Sequence, residues 1–138
     1  MSNEPSLSEI ATRMDLREVP EVLAAAETPI GRGHHLALAA GRGSGVESVY
    51  ALAVGSGCDP DGGLQALILV PTRDRATRVA RAIQRSVGVL GLRAGVAALR
   101  LDGSLDVGAA AVQCLVARPS LLLPEIRLGR LGLAACSC

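Results

Sequence analysis

Apolar residues along the chain fall into two patterns, short unbroken runs and helical stripes, and their alternation sets the expected architecture. Leu7, Ile10, Met14, Val19, Val22 and Leu23 recur at helical spacing across residues 6–26. Ser6 followed three residues later by Glu9 is a capping-box pattern, and Pro20 predicts a split into two short helices. A break is expected at Thr28-Pro29-Ile30-Gly31. Residues 36–40 then form an all-apolar run that ends in Gly41-Arg42-Gly43-Ser44-Gly45, the pattern of a buried strand feeding a tight turn. Residues 46–54 read as a helix closed by Gly55, and 56–63 as a polar loop that turns at Asp59-Pro60-Asp61-Gly62.

Residues 66–70 predict a second buried strand, stopped by Pro71. The stretch 72–87 has the clearest helical periodicity: Ala76, Val79, Ala80, Ile83 and Val87 share one face, while Arg78, Arg81 and Arg85 lie on the other. A third strand is expected over 92–99, then a turn at Leu101-Asp102-Gly103-Ser104, a fourth strand over 111–117, a short helix after Pro119 and a fifth strand over 131–136. Buried strands alternating with helices predict an α/β fold, a parallel sheet covered on both faces. The expected organisation is an N-terminal helical segment over 1–32 followed by an α/β domain over 33–138.

Composition narrows the function. A chain of 138 residues, 49% hydrophobic, fits one compact domain. No segment reaches the roughly 18 to 20 uninterrupted apolar residues of a spanning helix, and the first residues lack a basic region followed by an apolar one. A cytoplasmic protein without membrane contact is expected. All 14 basic residues are Arg, so a mechanism requiring lysine is excluded within this chain. The net charge of +1 gives no broad attraction for nucleic acid, so any such binding needs a local patch. Tyr50 is the only aromatic residue, which leaves no platform for stacking bases. Cys58, Cys114, Cys136 and Cys138 form neither paired knuckles nor a disulfide ladder. They read as small apolar side chains in a reducing compartment, in preference to a zinc site with His34 and His35, and no metal is assigned. Asp59 with Asp61 and Asp102 with Asp106 lie in turn sequences, and no His-Asp pair accompanies Ser44, so no catalytic residue is assigned either.

A strand, a glycine-rich turn and a helix are the setting in which backbone N–H groups cradle phosphate. The phosphate loop also needs G-x-x-x-x-G-K-[ST], whose Lys neutralises phosphate and whose hydroxyl holds magnesium. Aligned on Gly41, Gly43, Ser44 and Gly45, Val46 stands at the Lys position and Glu47 at the hydroxyl position. A carboxylate about 4 Å from a phosphate costs on the order of 4 kcal/mol at an effective dielectric of about 20. The loop therefore reads as a strand-to-helix turn kept for its backbone geometry, and no nucleotide cofactor is expected.

Several segments, in order, resemble the first RecA-like domain of DEAD-box helicases, and of the DEAD/DEAH helicases more broadly. Thr28-Pro29-Ile30 resembles the approach to the adenine-reading glutamine motif, with Gly31 where glutamine would stand. His34 to Gly45 resembles the strand and loop before the phosphate-binding lysine. Residues 66–76, ALILVPTRDRA, resemble the strand and Pro-Thr-Arg-Glu-Leu motif that contacts the nucleic-acid backbone. Val116-Ala117-Arg118-Pro119-Ser120-Leu121-Leu122 resembles Ala-Thr-Pro-Gly-Arg-Leu-Leu. Residues 131–138 resemble the strand that delivers the Asp-Glu-Ala-Asp box, with Ser137 and Cys138 in place of its first two acids.

The resemblance implies a truncated RecA-like, P-loop-type parallel sheet. It also implies that hydrolysis is lost with the lysine, the acids and the second RecA-like domain. What it leaves is a remnant phosphate-backbone site for RNA or DNA at Thr72, Arg73, Arg75 and Arg78, with Thr72 donating a hydroxyl hydrogen bond and Arg73 pairing with phosphate. Three alternatives stay open: a merely solvated arginine face, a self-associating or protein-binding module that uses an uncovered sheet edge, and a fragment of a larger helicase-like protein.

Overall fold

The structure is a computed structural model that describes residues 5–16, 21–39, 45–99, 101–102, 105–106, 112–129, 131 and 136. Helix α1 (Leu7–Arg13) begins at the expected capping box. The Ser6 amide donates to Glu9 Oε2 at 2.7 Å and the Glu9 amide donates to Ser6 Oγ at 3.3 Å. Helix α2 (Glu21–Gly31) runs through the break expected at 28–31. Pro29 lies in its last turn, so only one helical bond is lost, and the end comes instead at Gly33, whose φ of 66° suits glycine. There the Gly33 amide donates to the Ile30 carbonyl and the His34 amide to the Pro29 carbonyl, each at 3.0 Å.

Helix α3 (Val46–Gly57) also outlasts its expected stop. Gly55 is an approach point rather than an end: a Cβ there would lie 2.8 Å from Met14 Sδ and 3.1 Å from Leu90 Cδ1. The loop after α3 is built as its sequence suggests. The Asp61 amide donates to Asp59 Oδ1 at 3.0 Å, and Gln65 closes the turn from the other side by accepting from the Asp59 amide at 2.8 Å.

Strands β1 (Ala66–Leu69), β2 (Ala94–Val96) and β5 (Cys114–Ala117) form a parallel sheet in the order β1-β5-β2. The register pairs Leu69 with Ala117 and Val96 with Val116. The expected strand over 92–99 is divided at Ala97. Beyond it, β3 (Ala98–Leu99) turns away to pair antiparallel with β4 (Leu105–Asp106).

Two side-chain amides hold the start of β2. Gln113 accepts from the Arg93 amide and donates to the Gly62 carbonyl, both at 2.9 Å, while Gln84 accepts from the Ala94 amide at 2.8 Å.

Helix α4 (Arg73–Val87) covers one face of the sheet, and its five buried residues are the expected Ala76, Val79, Ala80, Ile83 and Val87. They share a core with Val49, Leu52, Ala66, Cys114 and Val116, to which Ile10, Met14 and Ala26 of the first two helices also belong. Full burial of a Val or Ile side chain contributes about 1.5–3 kcal/mol, so this face dominates the stability of the fold. Helix α5 (Pro119–Arg127) covers the other face, where Leu122 packs with Leu115, Ala117 and Ala97. Helices thus lie on both faces of a parallel sheet, the arrangement of a RecA-like domain.

The strand expected over 36–40 is absent from its described residues, 36–39. Residues 34–39 carry no strand, and Leu36 is 40% exposed; Ala40 lies outside the described residues. An apolar run becomes a strand only beside a backbone that can complete its ladder, and among the described residues none pairs with 34–39. The strand expected over 131–136 also lies outside the described residues, apart from Leu131 and Cys136. Burial pushes the Cys136 thiol above the usual cysteine range.

Candidate nucleic-acid interface

In an open parallel sheet, the crevice beyond the carboxyl ends of the strands is where ligands are held. Here the two strands β1 and β5 end side by side, and each leads at once into a helix. Thr72 and Ser120 both lie three residues beyond the paired Leu69 and Ala117, so the N-termini of α4 and α5 open on the same edge. The α4 end presents the Arg73 and Asp74 amides beside the Asp74 carboxylate of its first turn, and the α5 end presents the Ser120 amide, since Pro119 has none and the Leu121 amide donates to the Arg118 carbonyl at 3.1 Å.

Thr72 is the N-cap of α4, with extended backbone at φ −131° and ψ 156°. Its Oγ1 accepts from the Arg75 amide at 3.2 Å. A capping hydroxyl uses an oxygen lone pair, which leaves its own proton free to donate outward. With Arg75 capped, the Arg73 and Asp74 amides have no acceptor within the helix. The side chains of Thr72, Arg73 and Arg75 are all exposed. All three expected residues thus lie at the start of α4 on that edge, with Arg73 and Arg75 projecting to different sides of the helix, about 160° apart.

Arg78 is not placed there. It lies more than a turn further along α4, and at 100° per residue it falls with Arg81 and Arg85 on the side opposite the buried stripe.

Arg118 and Ser120 were not expected as site residues. Arg118 is the half-buried N-cap of α5, with Pro119 at the first helical position. Sequence marks the start of that helix through the proline. It does not reveal that β5 lies next to β1, and only this adjacency brings Arg118 to the edge that Thr72 occupies.

Of the nucleotide-loop residues, Gly41, Gly43 and Ser44 lie outside the described residues. Gly45 is the N-cap of α3 with φ 78°, a left-handed conformation that favours glycine. Val46 and Glu47 form the first turn of that helix, both half-buried. A carboxylate in the first turn interacts favourably with the helix dipole, so Glu47 supplies the negative charge that an N-terminus otherwise draws from an anion.

A separate groove of about 1170 Å³ is lined by Leu7, Ile10, His34, Val49, Cys58 and Leu92, among others. Cys58 and Leu92 precede β1 and β2, which puts that end of the groove by the amino ends of the strands, away from Thr72. Among the described residues no helix is long and apolar enough to cross a membrane.

The parallel sheet with helices on both faces defines an α/β domain of RecA type. Solved structures share this fold. A DEAD box protein from Methanococcus jannaschii superposes with a TM-score of 0.73 at 21% identity, over 98% of this chain and 39% of that one. Dbp5 of S. cerevisiae, bound to RNA and ADP BeF3, gives 0.71 at 18% identity, over 96% of this chain and 34% of that one. The sequence is 35% identical over 96 residues to RNA helicase CrhR of Synechocystis, a span of 66% of this chain but 19% of the relative. No family model matches the chain. Fold and sequence likeness together make this a DEAD-box-like RecA-like domain, one that spans about a fifth of the curated relative.

Proposed function

We propose that this chain is a non-catalytic helicase-like domain that holds the phosphate backbone of RNA or DNA at the carboxyl edge of its sheet. The observation that carries this reading is the convergence of the two helix N-termini there, with Thr72 capping α4 and Arg73 and Arg75 exposed beside it. Backbone amides, a hydroxyl proton and two guanidinium groups are the donors that phosphate oxygens accept from, and they read no base identity. The RNA held by yeast Dbp5, which shares the fold, supports the choice of ligand.

Loss of hydrolysis is supported by residue identity. The chain contains no lysine to neutralise the β and γ phosphates, and Val46 and Glu47 occupy the first turn of α3. Calorimetry with ATP and magnesium tests this half: no heat of binding is expected, and micromolar or tighter affinity would overturn it. RNA binding at low and physiological salt tests the other half. Salt-sensitive binding weakened by Arg73→Ala is expected, whereas binding indifferent to salt and to Arg73 would remove the nucleic-acid reading.

A second reading, self-association, is favoured by Leu69. It is 55% exposed on β1, which is an edge strand among the described residues. Light scattering at high concentration distinguishes it, since a strict monomer excludes it. The coverage of the relatives is also compatible with a place inside a larger helicase-like protein.

A further inference from the structure

Positive charge in this molecule is concentrated on one helix. Helix α4 carries five arginines and one aspartate, a net of +4, in a chain whose total is +1, so the rest of the chain carries −3. Arg73 and Arg75 belong to the carboxyl edge. The other three, Arg78, Arg81 and Arg85, fall within an arc of about 60° on the side opposite Ala76, Val79, Ala80, Ile83 and Val87. All three are exposed, and among the described residues none forms an ion pair. The one hydrogen bond recorded for them is from Arg85 Nε to the Arg81 carbonyl at 3.4 Å. A helix face that is solvated and nothing more commonly alternates its charges, because opposite signs at i and i+4 stabilise the helix. This face begins with one such opposite-sign pair, Asp74 and Arg78, but continues with Arg81 and Arg85, a like-charge pair at i and i+4 with no acid beside it on the helix.

We infer that Arg78, Arg81 and Arg85 form a second phosphate track, along which a single nucleic-acid strand held at the carboxyl edge continues down the outer face of α4. From Arg78 to Arg85 the helix rises about 10 Å, enough to accompany roughly three phosphates of a stacked strand at about 3.4 Å each. The track rests on the carboxyl-edge reading, because that edge fixes where the strand begins. It predicts something the edge alone does not, a dependence on strand length. An oligonucleotide of about 4 residues fills the edge only, while one of about 12 or more reaches the track. Asp74 sits where the two segments join and opposes the passage of the strand.

The test compares the wild-type chain with the triple variant Arg78→Gln, Arg81→Gln, Arg85→Gln and with Asp74→Asn, using short and long oligouridylates over a range of salt. Each phosphate contact on a single strand contributes a slope of about 0.7 in log affinity against log salt, so three contribute about 2. Between about 50 and 200 mM salt, wild-type affinity for the long strand is expected to fall some 15- to 20-fold more steeply than that of the triple variant. Affinity for the short strand is expected to be the same for both, and Asp74→Asn is expected to tighten the long strand several-fold. A triple variant that keeps the wild-type slope on the long strand overturns the track and leaves the edge site standing. Equal loss on short and long strands also overturns it, because the stripe would then not be a separate extension. Wild-type failure to bind either length removes both readings, and binding to polyglutamate in that case would assign the stripe to an acidic protein.

Discussion

Gln113 offers the sharpest test of how this fold is held. It is 4% exposed and sits just before the central strand, where its side chain bridges the Arg93 amide and the Gly62 carbonyl, 51 residues away in sequence from the latter. Gln113→Ala leaves both backbone groups without their partner. Each orphaned group costs about 1–3 kcal/mol, at the lower end here because both hydrogen bonds are only partly buried. The one lost side-chain methylene, Cγ, adds about 0.8 kcal/mol. The total comes to about 3 kcal/mol, a large share of the roughly 5–15 kcal/mol that holds a domain of this kind together. Urea unfolding followed by far-ultraviolet circular dichroism measures it, with an unchanged m-value expected. Gln84→Ala strips the Ala94 amide on the adjoining residue, so the two substitutions are expected to be non-additive in a double-mutant cycle. A loss below about 1 kcal/mol for Gln113→Ala, or strict additivity, would refute the view that these amides jointly fix the start of β2.

Thr72→Ala removes the α4 cap and is expected to cost about 0.5–1 kcal/mol, with Thr72→Ser restoring stability; equal melting temperatures for all three chains would contradict the cap. Gly33→Ala places a Cβ at φ 66°, and destabilisation of about 1–2 kcal/mol is expected, although nothing within 4 Å would be touched, so the effect measured by thermal unfolding is purely conformational. Because burial raises the Cys136 pKa, its thiolate fraction near pH 8 is reduced; alkylation in a Cys138→Ser chain is expected to be slower when folded than in urea, with its pH midpoint displaced upward.

Legibility in the sequence followed the range of the interaction concerned. Helix α4 was readable to the residue, because its apolar stripe repeats over four turns and Thr72 marks its start. The α1 capping box is equally local. Residues 36–40 failed as a strand because apolar character specifies burial or pairing without naming the partner, and partners come from elsewhere in the chain. Gly55 looked like a helix end because a glycine accommodating Met14 and Leu90 from two distant segments has the same sequence appearance as a terminator. The same limit hid Arg118. Its place at the edge depends on strand order, which the runs of Val, Leu and Ala do not encode.

The uneven charge of α4 also bears on how the molecule behaves in bulk solution. A sequence pI near 7.7 suggests an almost neutral particle at physiological pH. With +4 on one helix and −3 across the rest, that particle carries its charge unevenly along the chain. Neighbouring molecules are then attracted head to tail at low ionic strength, and added salt should raise solubility by screening that attraction before it lowers it by exclusion. Retention on a cation exchanger should likewise exceed what a net charge of +1 would give, because the resin contacts the helix and not the average.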